Sequence, residues 1–234
     1  MTTKAKEYAV RVVSSEEDAV ETWLSLGAQA SLQAVLEAPD SPELFCHTLA
    51  GVVAWQQRNE TSVAQAVLSP NAAPCWVAAL LALGARVAFR QEQQEEQLAD
   101  FLKRAEPHRR QLAAVRLRLR VAERVWGEAH VSRTPDDRPI VAVVAAVDVT
   151  DGVVRQACLA LTGVWHEQAR LADAAELMAG GMLDEDHIQR VALAVKREVK
   201  PYDDFLGSAE YRRAMASVLT RRALGDCQRG MNRL

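Results

Sequence analysis

The chain has 234 residues, 49% of them hydrophobic and 25% charged, with a formal net charge of −3 at pH 7. That length allows one large domain or two small ones with a substantial core, and that charge gives no electrostatic drive toward nucleic acid or an anionic membrane. No apolar run approaches a bilayer-spanning length; the longest, Ile140 to Val147, is strand-sized.

Ser14 or Ser15, followed by Glu16, Glu17 and Asp18, predicts a helix N-terminus with acids placed well against the dipole. Its apolar face would use Ala19, Trp23, Leu24 and Leu26, with Gly27 closing it. Ser41-Pro42-Glu43 predicts a second helix, with proline at the first helical position, running through Leu49, Val52 and Val53. A third begins near Pro74 and carries Val77, Leu80 and Leu81 to Gly84. The pattern changes after Pro107. From Ala114 to Ala122, Val115, Leu117, Leu119 and Val121 alternate with Arg116, Arg118 and Arg120, which predicts a half-buried strand. Its arginines read as a solvated face opposite the acids Glu92, Glu95 and Glu96.

Pro139 to Val149 predicts a buried strand, Asp151-Gly152 a tight hairpin turn, and Val153 to Trp165 the returning strand, with Ala157, Leu159 and Leu161 on one face. Three helices are expected after it. The first covers Ala169 to Ala179 and stops at Gly180-Gly181. Asp184 caps the second, whose stripe is Ile188, Val191, Ala192, Val195 and Val199. Ser208 caps the third, with Tyr211, Met215, Val218 and Leu219 on its apolar face and Gly225 beyond its end. Arg212, Arg213, Arg221 and Arg222 form a basic face on it, solvated or set against an acidic partner. The fold class expected is α+β, ending in a small antiparallel sheet packed on three helices.

The functional motifs are sparse. Cys46, Cys75, Cys158 and Cys227 are scattered singly and lack metal-ligand spacing. They read as thiols of a reducing cytoplasm, with no iron–sulfur cluster or metal on this chain. His47, His108, His130, His166 and His187 make no ligand pair at helical spacing. No phosphate-binding Gly-x-Gly-x-x-Gly or Walker loop is present, and no nucleophile turn, so no catalytic residue is assigned. Residues 1–6 lack an apolar core behind them, so no secretory signal is expected.

Val131-Ser132-Arg133-Thr134-Pro135-Asp136-Asp137-Arg138-Pro139-Ile140-Val141, the hairpin into Leu159-Ala160-Leu161-Thr162-Gly163-Val164, the Ala174-Ala175-Glu176 helix and Gly207-Ser208-Ala209-Glu210-Tyr211-Arg212-Arg213 follow one another in order. This half resembles the last domain of the FAD-binding medium subunits of molybdenum hydroxylases, the xanthine dehydrogenase and carbon monoxide dehydrogenase family. The resemblance continues more faintly upstream. Glu7-Tyr8, Ser14 and Glu17 to Leu26 are similar to the family's opening strand and first helix. Arg58-Asn59, Thr61-Ser62-Val63, Ser69-Pro70 and Ala79 to Val87 are similar to its second flavin-domain segment, and Leu98-Ala99-Asp100-Phe101 to a helix after it.

The domains implied are a shortened, degenerate FAD-binding-type domain over residues 1–110 and a carboxy-terminal domain over 111–234. The family holds the flavin diphosphate on two glycine-rich loops, since glycine lets backbone N–H groups approach phosphate closely. Here the first loop is missing after Gly27-Ala28-Gln29, which implies a deletion, and the Gly-Gly-Asn of the second reads Ala64-Gln65-Ala66. The resemblance thus implies either of two roles. One is a structural or assembly component with its FAD cradle lost, docked to a molybdenum-cofactor subunit and a two-iron, two-sulfur subunit. The other is an electron-transfer subunit whose FAD site is rearranged or completed by a partner, with Arg58, Asn59, Ser69 and Asp137 as its surviving wall.

Overall fold

The computed structural model describes residues 9–14, 22–69, 71–90, 94–104, 111–119, 123–134, 137–166 and 169–232. The chain divides into two compact units, residues 1–120 and 121–234.

The first unit is built on a five-stranded antiparallel sheet of order β1-β2-β5-β3-β4. Its strands are β1 (Val10–Ser14), β2 (Thr22–Gly27), β3 (Arg86–Phe89), β4 (Glu96–Gln97) and β5 (Leu112–Arg118). The expectation of a helix reaching Gly27 is corrected here. Thr22–Gly27 pairs on both sides, Leu24 with Val12 and Leu117, and Leu26 with Val10 and Val115. Leu24 and Leu26 also satisfy a period of two, and in so short a run only the neighbouring strands decide between strand and helix. The proposed cap and acids at residues 15–18 lie outside the described residues.

β5 appears where the alternation placed a strand, ending at Arg118; residues 120–122 lie outside the described residues. It pairs with β2 and β3, so it belongs to the first unit rather than to the carboxy-terminal one. Its arginine face meets an acid as expected. Arg116 stands opposite Arg86 in register, and Glu95 bridges both, bonding Arg116 Nη1 and lying 3.8 Å from Arg86 Nε. Arg118 instead covers the ring of Trp23, 5.4 Å from its centroid.

The described helices of this unit are short: α1 (Leu32–Glu37), α2 (Glu43–Phe45), α3 (Trp55–Glu60), α4 (Val63–Leu68), α5 (Pro74–Ala82) and α6 (Leu98–Leu102). The helix expected from Ser41 through Val53 is shorter. Pro42 is its N-cap, and after Phe45 the chain widens into π-type turns over Cys46–Ala50 that end at Gly51. α5 forms as expected, its residues Cys75 to Ala82 all buried, and Gly84 turns the chain at φ +70°.

The second unit is a four-stranded antiparallel sheet, β6-β7-β8-β9, with helices against it. β6 is Arg124–Val131, β7 Val141–Thr150, β8 Val153–Thr162 and β9 Arg170–Leu171. Asp151 and Gly152, at φ +54° and +76°, make the expected hairpin turn with both central residues left-handed. α7 (Glu185–Glu198) and α8 (Ala209–Met231) begin at Asp184 and Ser208, whose side chains accept from His187 N and Tyr211 N.

Two expectations are corrected. The helix from Ala169 to Ala179 is a single 3₁₀ stretch, Asp173–Met178, because β9 holds Arg170 and Leu171 in the sheet. α8 continues through Gly225 to Met231, since Leu224 and Cys227 are fully buried and offset the roughly 1 kcal/mol cost of an interior glycine. Its buried face is Arg212, Ala216, Leu219, Thr220, Ala223, Leu224 and Cys227, whereas Tyr211 and Val218 are exposed. Among the described residues no helix is long and apolar enough to cross a membrane.

Candidate functional site

In the first unit, the segments 28–32 and 61–64 run antiparallel and fix the starts of α1 and α4. Ser31 and Ser62 form the bridge between them. Val63 N donates to Ala30 O and Ala64 N to Ala28 O, each at 2.9 Å. Leu32 N donates to Thr61 O at 3.0 Å.

α4 then closes its own first turn with a reciprocal capping box. Gln65 N donates to Ser62 Oγ (3.2 Å), and Gln65 Oε1 accepts from Ser62 N (2.8 Å). Ala66 N donates to Ser62 O at 2.9 Å. The amides of residues 63–66, which include the three positions 64–66 where the resemblance implies a Gly-Gly-Asn loop, therefore all have acceptors within the protein.

An open cleft of about 740 Å³ lies beside this turn. Gln29, Glu60, Ser62, Gln65 and Ser69 give it its polar wall, with Ala64 and Leu68 among its apolar residues. Among the described residues Glu60 is its sole ionisable lining residue, and none is a cation. Desolvating a diphosphate there would bring it against a carboxylate with no compensating charge.

The four residues singled out from the sequence have other tasks. Arg58 Nε donates to Gln33 Oε1 at 2.8 Å, while Nη1 faces the carbonyls of Leu49 and Ala50 at 3.4 Å and that of Val53 more closely. Its guanidinium thus satisfies the end of the 46–50 turns. Asn59 Nδ2 donates to Trp55 O one turn back, at 2.8 Å. Ser69 is the residue of the four that lines the cleft; it is exposed, and its amide ends α4 on Gln65 O. Asp137, in the second unit, pairs with Arg133 at 3.5 Å, and its amide donates to Thr134 O, closing the turn before β7.

The second unit centres on Arg212, which the sequence reading placed on an exposed basic face. It is 1% exposed. Its Nη1 donates to Ile140 O (2.6 Å) and Gly163 O (2.7 Å), and its Nη2 to Asp204 Oδ1 (2.6 Å). The Tyr202 ring lies 5.0 Å from the guanidinium carbon and stacks on His166 with centroids 4.7 Å apart. Gly163, at φ +78°, permits this approach: a Cβ there would lie 2.0 Å from Ile140 O. The Gly207-to-Arg213 segment is therefore a clasp that joins α8 to the ends of β7 and β8.

Burial works against the charge of Asp204, but the Arg212 hydrogen bond and the amides of Leu206 and Gly207 outweigh it and hold the carboxyl below its ordinary value. A lowered carboxyl contributes stability that is complete above the unfolded value, about pH 3.9, and is lost as pH falls through the folded one. Melting temperature recorded below pH 4 is expected to drop less steeply in Asp204→Asn than in the native protein; parallel curves would refute the coupling.

The Ser62-to-Gln65 box was legible as Ser-x-x-Gln, a helix-start pattern. Arg212 gave no such signal, because two of its acceptors are distant backbone carbonyls and the third, Asp204, lies eight residues back with no motif joining them. No group of three or more His, Cys, Asp or Glu residues among the described residues could hold a metal ion.

Residues 129–227 match the family model of the CO dehydrogenase flavoprotein C-terminal domain. No curated protein matches the chain. Solved structures do. CO dehydrogenase from Oligotropha carboxidovorans is 18% identical with a TM-score of 0.81, over 96% of this chain and 79% of that one. CO dehydrogenase from Hydrogenophaga pseudoflava, lacking the Mo-pyranopterin moiety of its cofactor, is 19% identical with a TM-score of 0.82 over the same shares. Quinoline 2-oxidoreductase from Pseudomonas putida 86 is 20% identical with a TM-score of 0.79, over 97% of this chain and 80% of that one. At these identities the likeness is one of fold.

Proposed function

We propose that this chain, whose residues 129–227 match the CO dehydrogenase flavoprotein C-terminal domain, serves as a flavin-free structural or assembly subunit of a molybdenum hydroxylase type oxidoreductase. The observation that carries this reading is the spent set of amides at Val63, Ala64, Gln65 and Ala66, each already facing an acceptor of the protein itself. A flavin diphosphate held in the family manner needs such donors free and close. Ala64 and Gln65 also carry the Cβ atoms that a glycine loop omits, and among the described residues the adjoining cleft offers Glu60 and no cation.

The second unit has the opposite character. Its signature segment is intact and fully engaged in packing through Arg212. A subunit that keeps this domain and gives up its cofactor contacts still has a surface on which to hold other chains. The partners suggested by the family are a molybdenum-cofactor subunit and a two-iron, two-sulfur subunit. A cytoplasmic location fits the buried thiol of Cys227, which burial pushes far above its ordinary value and keeps inert.

Purification from the native host, with visible spectra of the isolated chain and of its complex, tests the proposal. Oxidoreductase subunits are expected to co-purify, and the chain is expected to carry no flavin bands in either preparation. A stoichiometric yellow flavin on the isolated chain would overturn it. Flavin on this chain only within the complex would favour a partner-completed electron-transfer subunit instead, and a solitary monomer would refute both roles.

A further inference from the structure

The sheet of the first unit turns Leu24, Leu26, Val87, Val115 and Leu117 to one side, where all five are buried. The alternate residues face the other way. There the register sets one row straight across the sheet: Arg11 beside Ser25, Ser25 beside Arg116, Arg116 beside Arg86, and Arg86 beside Gln97. Strand pairing places each member of the row, so the three arginines share one face.

The other described strand residues on that side are Val13, Trp23, Gly27, Ala88, Ala114 and Arg118, none of them acidic. Glu95, just before β4, is the acid that reaches the row, bonding Arg116 Nη1 and lying 3.8 Å from Arg86 Nε. Its neighbour Glu96 stands opposite Val87 and accepts instead from Arg104 Nε at 2.8 Å. Among the described residues, three guanidiniums thus meet one carboxylate.

Two features of the row oppose folding. Arg116 and Arg86 are like charges set directly opposite each other, an arrangement that destabilises a sheet. The Nε atoms of Arg11, Arg86 and Arg116 are all buried with no hydrogen-bond partner, which leaves three donors unsatisfied. Solvent nevertheless reaches the row, since the side chains of Arg86 and Arg116 are 39% and 38% exposed. Ser25 puts no long side chain between Arg11 and Arg116.

Planar guanidinium forks with donors to spare and a surplus of two positive charges suit phosphate oxygens. From Arg11 to Arg86 the row crosses three inter-strand spacings, about 14 Å, a width that favours two linked phosphates over one. We propose that this row binds a diphosphate group, either free or carried by a nucleotide. The half-exposed forks turn onto its oxygens, and the Nε–H groups gain the acceptors they lack. The row shares no residue with the cleft beside α4 and needs no partner subunit, so it stands or falls separately from the assembly role.

Calorimetric titration of the full chain with pyrophosphate, and separately with ADP, tests it. Arg11→Gln and Arg86→Gln are each expected to weaken pyrophosphate binding about tenfold, the worth of one hydrogen bond to a charged group. Arg155→Gln, at an exposed arginine of the second unit, is expected to leave it within about twofold. Arg86→Gln also removes a like charge from beside Arg116, so its melting temperature without ligand should hold or rise, which separates lost binding from lost fold. Raised salt should weaken binding to the native chain. Equal affinity for the two probes would assign the row to the diphosphate alone, and tighter binding of ADP would assign it to a nucleotide; both outcomes support it. Absence of binding at about 1 mM pyrophosphate, or a loss no greater in the row variants than in Arg155→Gln, would overturn the site. Tighter binding of a Glu-rich peptide than of either phosphate would overturn the choice of ligand.

Discussion

Arg212→Met is expected to destabilise the second unit by about 3–5 kcal/mol, the range for breaking one side of a buried ion pair. Methionine fills much of the same volume, so the loss comes from polar groups and not from a cavity. The carbonyls of Ile140 and Gly163 lose their donor, and Asp204 loses the partner that holds its charge in a site only one-fifth exposed. Arg212→Lys keeps the charge but not the planar fork that reaches two carbonyls and a carboxylate together, so it should recover less than half of the loss. Asp204→Asn added to Arg212→Met should cost less than the sum of the two, since each removes the same interaction. The neighbouring Arg213→Met is expected to change stability by no more than about 0.5 kcal/mol. Urea unfolding followed by circular dichroism measures all four, and hydrogen exchange should place the weakening in β7 and β8. A methionine variant that lost less than about 1 kcal/mol would show that the clasp carries little of the fold.

The parts of this fold that were legible in sequence are those where a local rule and the tertiary environment agree. Asp184 and Ser208 cap helices in any context, and Asp151-Gly152 turns a hairpin because both residues must be left-handed. Pro74 to Gly84 is apolar throughout, so any helix there has to be interior. Thr22–Gly27 was misjudged because six residues with two leucines fit either period, and the deciding information lay in β5, some ninety residues away. Arg212 was misjudged for a related reason. Its neighbour Arg213 has the same chemistry, and only the fold shows that one faces Gly163 and the other leaves the core. At the candidate site, the absence of glycine at Ala64-Gln65-Ala66 was readable. The acceptors of the amides there were not, since those at Ala28 and Ala30 come from the segment joined to β2. The proposed loss of cofactor contacts is argued from both, the absent glycines and the amides that already face acceptors.

Gly127→Ala is expected to be nearly as damaging as the loss of Arg212, although it adds a single methyl group. Gly127 lies in β6 opposite Ala145, where α8 crosses the strand. A Cβ there would sit 2.1 Å from Ala223 O and 2.7 Å from the Cβ of Asp226. Neither contact can swing aside, because the first is helix backbone and the second is fixed directly to it. The helix cannot simply lift, either. Arg212 anchors one end, and near the other Gly230 lies against Val125, where an added Cβ would be 3.6 Å from the valine side chain. Inserting volume at such a contact costs about 1–3 kcal/mol where the backbone can yield, and a two-sided anchor puts this site at or above the upper end. Gly152→Asn provides the contrast. Gly152 sits at φ +76° with no atom within 4 Å of where a Cβ would stand, and asparagine tolerates the left-handed region, so the change should cost about 1 kcal/mol or less. The two variants separate close approach from backbone freedom as the reason for a glycine. Equal stability of the two variants in urea would mean that strand and helix are not pressed together at Gly127.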